Sequence, residues 1–337
     1  MLIEVNKYNI IKYIYYIELD GGIGRIEMLN TTNILALVGG GKNPKFSINK
    51  IIIWDDQPAK NRDNIIGELR FNSQILNVKI KMDRLIGVCQ TKIYIFNLNT
   101  LETIDMFETF DNINGIVGFS PGELISVLAF PYESKGKVKM INFNSLAQPP
   151  IIPAHESKIA CLCVNRNGTL LATASDKGTL IRIFAVKDGT LLTELRRGTK
   201  NTEINCIVFD EFNKYVGAAS GMGTVHIFSI VSTMKNYYDE NYYSDQIDDE
   251  PKNQKSVFTK FNFLQKLNNS YLNSEWSFSK LRLQEHKSII TFLYNNTLCA
   301  ITSEAKGYLT NFDPKKPGDC DKVKEFYLYD TSNKKHK

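Results

Sequence analysis

The sequence predicts an all-β propeller built from WD-type blades, on three observations. Short apolar segments that end in an aromatic residue recur along the 337-residue chain. Four of the five steps between successive aromatics match the roughly 40–45 residues of a four-stranded propeller blade. Turn pairs such as Asp188-Gly189 separate the segments, and helical periodicity is nearly absent between them.

The recurring segments follow one another in order along the chain. They read NKIIIWD, TKIYIF, GKVKMINF, GTLIRIF, GTVHIF and GYLTNF, with the aromatics Trp54, Phe96, Phe143, Phe184, Phe228 and Phe312. We therefore assign residues 1–330 to a single propeller domain and residues 331–337 to a disordered tail. Six blades are recoverable, at about 23–71, 74–110, 114–154, 158–197, 203–283 and 288–328.

The step from Phe228 to Phe312 is longer than the others because it holds one blade and about 40 additional residues. This insertion, at 233–274, is acidic and tyrosine-rich in its first half and lysine-rich in its second half. A basic amphipathic loop that faces a membrane is one interpretation, with Phe258, Phe261, Phe263 and Leu264 as the inserted residues. A disordered insertion with scattered aromatics is the alternative, and composition does not decide whether the loop is helical.

Composition and charge exclude several classes of protein. Charged residues make up 23% of the chain and the net charge is +5, which is too little for a bulk nucleic-acid binder. The longest apolar runs fall short of the roughly 18 residues of a spanning helix, and the N-terminus lacks a secretory signal pattern. We therefore expect a cytoplasmic protein with free cysteines, of which Cys161 and Cys163 are buried thiols.

The sequence shows no pattern that indicates an enzyme, a cofactor or a metal site. The segment GGGKN at 39–43 suggests a phosphate-binding loop, but Ala36 stands at the first glycine position and Asn43 at the hydroxyl position. The four histidines are scattered, and no cysteine–histidine spacing is typical of zinc. Nucleophile-elbow and HExxH motifs are missing. We expect a binding protein.

Two adjacent arginines, Arg196 and Arg197, end the strand-like run TELRR. Side chains alternate along a strand, so we expect the two guanidinium groups to point to opposite faces. Guanidinium is always charged and its forked donors match phosphate oxygens, so each arginine is a candidate ligand for its own anion. A solvated edge that guards the strand against pairing with another chain is the alternative.

A set of stretches in a fixed order extends this motif in both directions. They are DGGIGRIEML, LALVGGGKNPKF, IIIWDD, LLATASDKGTLIRIF with LRRG, GTVHIF and EWSFSK. This combination resembles the PROPPIN (WIPI) family of autophagy propellers, which bind phosphoinositides, and looks most like the group with a Leu-Arg-Arg-Gly motif. The resemblance covers the chain apart from the insertion, and it implies a WD40-type seven-bladed β-propeller with a single domain and a monomeric state.

The resemblance also implies that a full first blade precedes the DGGIG segment. Here about 19 residues do so, and they are enough for one final strand of that blade. Two alternatives follow: the first blade is truncated and the ring is open or distorted, or the chain is an incomplete form of a longer product.

The resemblance implies two separate phosphoinositide sites on the rim. Site 1 comprises His155, Ser157, Thr179, Arg182 and Arg196, with Ser175 and Lys177 as additions from the same blade. Site 2 comprises Arg197, Thr199, Ser220, Thr224 and His226.

A comparison of neighbouring blades supports this division. Aligning Ser175 with Ser220 and Phe184 with Phe228 sets Gly178–Thr179 against Gly223–Thr224. The same alignment sets Arg182 against His226, so both blades repeat hydroxyl and nitrogen donors. The structural alternatives are that His155 is the hydrogen-bond donor of a WD repeat and that the hydroxyls form hydrogen bonds with backbone groups in turns.

By resemblance, the expected function is binding of membranes that carry phosphatidylinositol 3-phosphate, phosphatidylinositol 3,5-bisphosphate or both. The protein is expected to associate peripherally with autophagic, endosomal or other organelle membranes and to recruit autophagy lipid-transfer or scaffold proteins. The alternative is a generic WD40 interaction scaffold whose arginine pair reads acidic or phosphorylated peptides.

Overall fold

The computed structural model describes residues 2–5, 11–15, 19–57, 63–81, 83–122, 124–237, 252–254 and 274–328. In these ranges the chain forms six sheets of four or five strands and one two-stranded sheet. The single helix of the described ranges has seven residues. The predicted all-β propeller with six recoverable blades is therefore confirmed.

The first half of the chain contributes three four-stranded sheets after a short antiparallel pair. The pair is β1 (Leu2–Val5) with β2 (Ile11–Tyr15). The sheets are β3 (Ile23–Met28), β4 (Ile34–Gly39), β5 (Lys50–Asp55) and β6 (Ile65–Arg70); β7 (Asn77–Ile80), β8 (Arg84–Val88), β9 (Lys92–Asn97) and β10 (Thr103–Glu108); β11 (Gly118–Phe119), β12 (Val127–Pro131), β13 (Lys137–Asn142) and β14 (Ile152–Pro153).

The second half contributes three further sheets, two of which gain a fifth strand. In chain order, its elements are β15 (Ile159–Val164), β16 (Leu170–Ser175), β17 (Leu180–Ala185), β18 (Leu191–Arg196), β19 (Ile204–Phe209), β20 (Tyr215–Ser220), β21 (Thr224–Ser229), α1 (Val231–Tyr237), β22 (Glu275–Trp276), β23 (Ser279–Arg282), β24 (Ser288–Leu293), β25 (Thr297–Thr302), β26 (Lys306–Asn311), β27 (Gly318–Asp319) and β28 (Asp321–Tyr327). The sheets have the orders β15-β16-β17-β18-β22, β19-β20-β21-β23-β27 and β24-β25-β26-β28.

The first strand of each sheet lies on the inside of the propeller. Contacts between sheets join first strands to one another, as in the pairs β11–β15, β15–β19 and β19–β24. The fourth strands lie outside, and β6 and β10 are mostly exposed there. The end of β18, where Arg196 and Arg197 stand, is therefore on the rim.

The core lies between neighbouring sheets and explains the repeat that is visible in the sequence. Strands β16 and β20 are buried along their whole length. Four of the recurring aromatics are buried at the ends of third strands or directly after them, at Phe96, Phe184, Phe228 and Phe312. A buried aromatic removes a large apolar area from water in each blade, so the spacing of blades appears as a spacing of aromatics.

The insertion follows β21 of one sheet. The chain then forms β22, which is the outermost strand of the preceding sheet. Strand β22 runs parallel to β18, with Arg196 paired to Trp276 in the register. Gln254, near the middle of the insertion, and Trp276, just after its end, exchange two backbone hydrogen bonds of 3.0 and 2.8 Å. Asn253 adds a side-chain bond of 2.6 Å to Glu275. The base of the insertion is thus fixed beside Arg196.

Other predictions about the insertion and the thiols have mixed outcomes. The predicted membrane-insertion residues Phe258, Phe261, Phe263 and Leu264 lie outside the described residues. All six cysteines are free thiols. Cys161 and Cys163, on the inner strand β15, are half-buried rather than buried as predicted. Cys163 is partly accessible because it borders a cavity. No helix within the described ranges has the length and apolar character to cross a membrane.

Candidate anion-binding sites on the rim

The two arginines at the end of β18 are both buried and contact different residues. Arg196 is 7% exposed and donates from Nη2 to Ser274 Oγ at 3.3 Å. Arg197 is 5% exposed and donates from Nε to the Gly178 carbonyl at 2.8 Å. Adjacent residues of one strand end therefore reach separate surroundings, as the alternation of side chains requires.

In site 1, a row of polar side chains crosses three strands on one face of the sheet. The register sets Thr173 beside Arg182 and Arg182 beside Glu194. His155 Nε2 lies 2.9 Å from Thr173 Oγ1. Arg182 donates to the Ala154 carbonyl at 2.7 Å, and its Nη2 lies 2.9 Å from a Glu194 carboxylate oxygen.

Glu194 is a member of this row that sequence reasoning missed. Ser274 Oγ donates to Glu194 Oε1 at 2.9 Å while accepting from Arg196, so one carboxylate lies between the two arginines of site 1. Glu194 stands two positions before Arg196 and therefore shares its face, a signal that the sequence did contain. Ser274 comes from the far end of the insertion, and no local pattern points to it.

The remaining predicted residues of site 1 lie before β15 and around the turn between β16 and β17. Ser157, between β14 and β15, has a buried Oγ without a hydrogen-bond partner among the residues described. Ser175 is buried at the end of β16, whereas Lys177 is exposed in the following turn. Thr179 lies half-buried just before β17, and its carbonyl accepts the Arg197 backbone N–H at 2.9 Å.

Arg197 of site 2 bridges equivalent turns of two neighbouring blades. It donates to the Gly178 carbonyl in one turn, and Nη1 lies 3.8 Å from Met222 Sδ in the other. It also donates to the Lys200 carbonyl. Gly178 has φ of 59°, and a Cβ there would lie 1.7 Å from the Thr202 carbonyl oxygen, so the turn requires glycine.

Three other members of site 2 lie on strands β20 and β21 at the same end of the sheet, and the fourth lies in a loop. Ser220 pairs with Thr224 in the register and donates to its carbonyl at 3.0 Å. His226 is 6% exposed, and its Nδ1 lies 3.0 Å from Ser277 Oγ. Thr199 is exposed in the loop after β18. Hydroxyl, imidazole and guanidinium donors thus occur close together.

Two cations of site 2 were missed from the sequence. Lys280 lies opposite His226 in β23, and Arg282 lies opposite Thr224. Burial, followed by Lys280, Arg197 and Arg282, lowers the pKa of His226 to about 3. The imidazole is therefore neutral at neutral pH and surrounded by positive charge. The insertion separates β23 from β21 in the sequence, so these residues could not be aligned with the repeat.

The register refines the comparison between blades. Arg182 lies opposite Thr173, and His226 lies opposite the equivalent Ala218, so these two donors match as expected. Thr224, however, stands inside β21 opposite Ser220, whereas Thr179 precedes β17. The position in β17 that corresponds to Thr224 is Leu180, because the turn of that blade is one residue longer.

The two buried histidines predict acid sensitivity. Burial, with a smaller effect of Arg182, lowers the pKa of His155 to about 4, and that of His226 is about 3. An unfolded chain protonates histidine near 6.5, so stability is full above that pH and falls below it. We expect each histidine to lower the free energy of unfolding by about 2 kcal/mol when the pH falls from 7 to 5.

Urea unfolding at both pH values checks this prediction. The variant His155→Gln plus His226→Gln should lose most of the difference between pH 7 and pH 5, whatever its stability at pH 7. An unchanged difference in the variant would assign the acid sensitivity to other groups.

A cavity at the opposite end of the strands takes no part in either site. It has a volume of about 1270 Å³ and is bordered by the β15–β16, β19–β20 and β24–β25 connections, with Arg166, Phe212 and Tyr294 among its residues. Within the described ranges, no group of histidine, cysteine and acidic side chains could hold a metal ion.

The comparison with known families decides what these sites belong to. A family model described as PROPPIN matches residues 59–329, which include both sites. The chain belongs to the PROPPIN family. The matched range contains the arginine pair and five of the six propeller sheets in full. The resemblance predicted from the sequence is therefore confirmed.

Relatives of this PROPPIN carry autophagy-related names. Autophagy-related protein 18e of Arabidopsis thaliana is 37% identical over 214 residues, which are 63% of this chain and 55% of that protein. Autophagy-related protein 18 of Yarrowia lipolytica is 29% identical over 92% of this chain and 88% of its own length. The match thus spans little more than half of the Arabidopsis relative.

Solved structures of similar proteins share the fold. Kluyveromyces lactis Hsv2 with a complete loop 6CD superposes with a TM-score of 0.72 at 20% identity, over 97% of this chain and 93% of that chain. KlAtg21 in complex with the coiled coil of AgAtg16 gives a TM-score of 0.68 at 21% identity, over 90% and 84%. At these identities the likeness shows that this PROPPIN is a β-propeller of the same kind.

Proposed function

We propose that this PROPPIN is a peripheral membrane protein that binds phosphatidylinositol 3-phosphate, phosphatidylinositol 3,5-bisphosphate or both through sites 1 and 2. The observation that carries the proposal is the pair of buried guanidinium groups, Arg196 and Arg197, which reach different donor sets from one strand end. Each arginine would grip one inositol phosphate headgroup.

The chemistry of both sites suits a phosphate ester. Arginine offers forked donors to phosphate oxygens, and these charge-assisted bonds are stronger where water is excluded. The neutral imidazoles of His155 and His226 can donate a hydrogen bond to an anion without adding charge. Ser157 Oγ, buried and without a partner among the described residues, is one further donor.

Two sites on one rigid body strengthen binding to a membrane. Once one headgroup is bound, the second binding event is intramolecular, so the combined affinity exceeds either site by about 100-fold or more. The insertion would add apolar contacts with the interface, since its base at Ser274–Trp276 is fixed beside site 1. Lysines would bring the protein to the acidic surface.

The biological role we propose is that of an effector and scaffold without enzymatic activity. Relatives of this chain are named as autophagy-related proteins, and a structural neighbour was solved with a coiled coil bound to it. A membrane-bound propeller would present its remaining blades to autophagy scaffold or lipid-transfer proteins. This role places the protein on autophagic, endosomal or other organelle membranes.

Flotation with vesicles tests the proposal directly. We expect the protein to float with vesicles that contain a 3-phosphoinositide and to stay in the soluble fraction with vesicles of equal charge made with phosphatidylserine. Equal flotation with both kinds of vesicle would show that the protein responds to negative charge alone and does not recognise the 3-phosphoinositide. Binding to phosphopeptides but to neither kind of vesicle would favour a peptide-reading scaffold and reject the lipid function.

A further inference from the structure

Sites 1 and 2 are built on equivalent positions but carry opposite charges at one of them. In the blade of site 1, β18 places Glu194 opposite Arg182 and Arg196 opposite Leu180. In the blade of site 2, β23 places Lys280 opposite His226 and Arg282 opposite Thr224.

The equivalence follows because Arg182 and His226 occupy matching register positions in β17 and β21. Lys280 of site 2 therefore stands where Glu194 stands in site 1. Arg282 stands where Arg196 stands.

This difference gives the two sites different electrostatics. In site 1, the Glu194 carboxylate pairs with Arg182 and accepts from Ser274, which also contacts Arg196. An anion that enters there meets a negative charge among its ligands. It must compete with that carboxylate for the guanidinium groups.

Site 2 has no counterpart of this carboxylate among the described residues. Arg197 donates to carbonyl oxygens and lies near a sulfur, and no ion pair joins Arg197 or Lys280 to an acid in the described part of the chain. Asp319 is the register neighbour of Lys280, but its ion pair is with Arg282, at 3.3 Å between two exposed side chains. Two cations thus remain uncompensated, and a third is paired only at the surface.

The depressed pKa of His226 agrees with this geometry, because Lys280, Arg197 and Arg282 all act on the imidazole. Each phosphate monoester carries about 1.5 to 2 negative charges at neutral pH. An additional cation in a site therefore raises the affinity for a headgroup with one more phosphate, and a carboxylate lowers that affinity.

We propose that Lys280 makes site 2 selective for inositol headgroups that carry a further phosphate, whereas Glu194 restricts site 1 to the less phosphorylated headgroup. The inference rests on the proposed function, since both sites are taken to bind phosphoinositide headgroups. Lysine suits this role as a compact point charge on a flexible stem, which reaches a phosphate at the edge of a pocket. Arg282 lies two residues further along β23 on the same face and adds a second positive charge beside Lys280.

Titration calorimetry with soluble headgroups tests the proposal. In an Arg196→Thr background, which weakens site 1, we compare inositol 1,3-bisphosphate with inositol 1,3,5-trisphosphate. We expect site 2 to prefer the trisphosphate about tenfold, the size of one charge-assisted hydrogen bond. Lys280→Gln should bring the ratio of the two affinities close to one, while Lys280→Arg should keep it.

One control variant and one variant of site 1 accompany this comparison. Lys187→Gln removes the same charge at the exposed, opposite end of the β17–β18 hairpin and should leave the ratio unchanged. Glu194→Gln in an Arg197→Thr background should raise the affinity of site 1 for the trisphosphate several-fold.

The outcomes separate this inference from the function on which it rests. If Lys280→Gln leaves the ratio unchanged while Arg197→Thr still removes headgroup binding by site 2, the selectivity is overturned and the lipid function stands. If Arg196→Thr plus Arg197→Thr leaves binding of both headgroups at the wild-type level, the lipid function itself fails.

Discussion

Replacing Arg196 and Arg197 together by threonine is expected to lower the apparent affinity for vesicles that contain 3-phosphoinositides by about 100-fold or more. Each substitution removes one permanent positive charge from its site, and in the double variant the losses at the two sites multiply. A single substitution leaves the other site intact and weakens its own site by about tenfold, the size of one charge-assisted hydrogen bond. Vesicle binding should therefore fall by about tenfold. Flotation over a range of vesicle concentrations measures both effects.

The control for this experiment must separate ligand loss from unfolding. Arg197 is buried, so its removal leaves the Gly178 and Lys200 carbonyls without their donor. Urea unfolding of each variant therefore accompanies flotation. A double substitution of Lys187 and Lys316, both exposed, changes the net charge equally and should leave flotation unchanged. Wild-type flotation by the arginine double variant would reject the lipid model.

Replacing Phe258, Phe261 and Phe263 by serine is expected to weaken retention on vesicles by about 100-fold without changing the affinity for soluble headgroups. Burying one phenylalanine side chain contributes about 1.5–3 kcal/mol, so three partly buried rings suffice for this loss. Headgroup binding should persist because sites 1 and 2 are built from the rim of the blades. The insertion contributes Ser274 to site 1 through its fixed base, which the substitutions leave in place.

A matched variant in the acidic half of the insertion sharpens this test. Replacing Tyr238, Tyr242 and Tyr243 by serine removes three aromatics from a segment with several acidic residues. That segment is repelled by an acidic membrane, so retention should change little. An equal loss of vesicle retention and headgroup binding in the phenylalanine variant would contradict the division of labour between the insertion and the sites.

The fold could be predicted because each blade must bury a large apolar side chain at the same position. An aromatic at or just after the end of a third strand fills the space between neighbouring sheets, as Phe184 and Phe228 do. The requirement recurs at each blade, so it leaves a period in the sequence. The two-stranded sheet of β1 and β2 did not follow from it, since a single strand was expected there. Short segments without a repeat offer no such signal.

The candidate sites were predicted only in part, for a similar reason. Residues within one blade, such as Ser220 and His226, could be aligned with the blade before it. Lys280 could not, because the insertion interrupts the repeat between β21 and β23. Glu194 was present in the sequence beside the arginine pair, but its effect depends on Arg182, which lies opposite it on another strand.

The sequence by itself determined that this chain is a propeller, that it belongs among the PROPPINs and that two arginines end one rim strand. The propeller and the arginine pair depend on spacing along the chain, which strand alternation and blade length translate into geometry. The family follows from the resemblance of several sequence stretches in a fixed order. Only the tertiary structure decided which charges face each arginine. Ser274 and Lys280 reach the sites from beyond the insertion, and pairing between strands that are distant in sequence sets the balance of charge in each site.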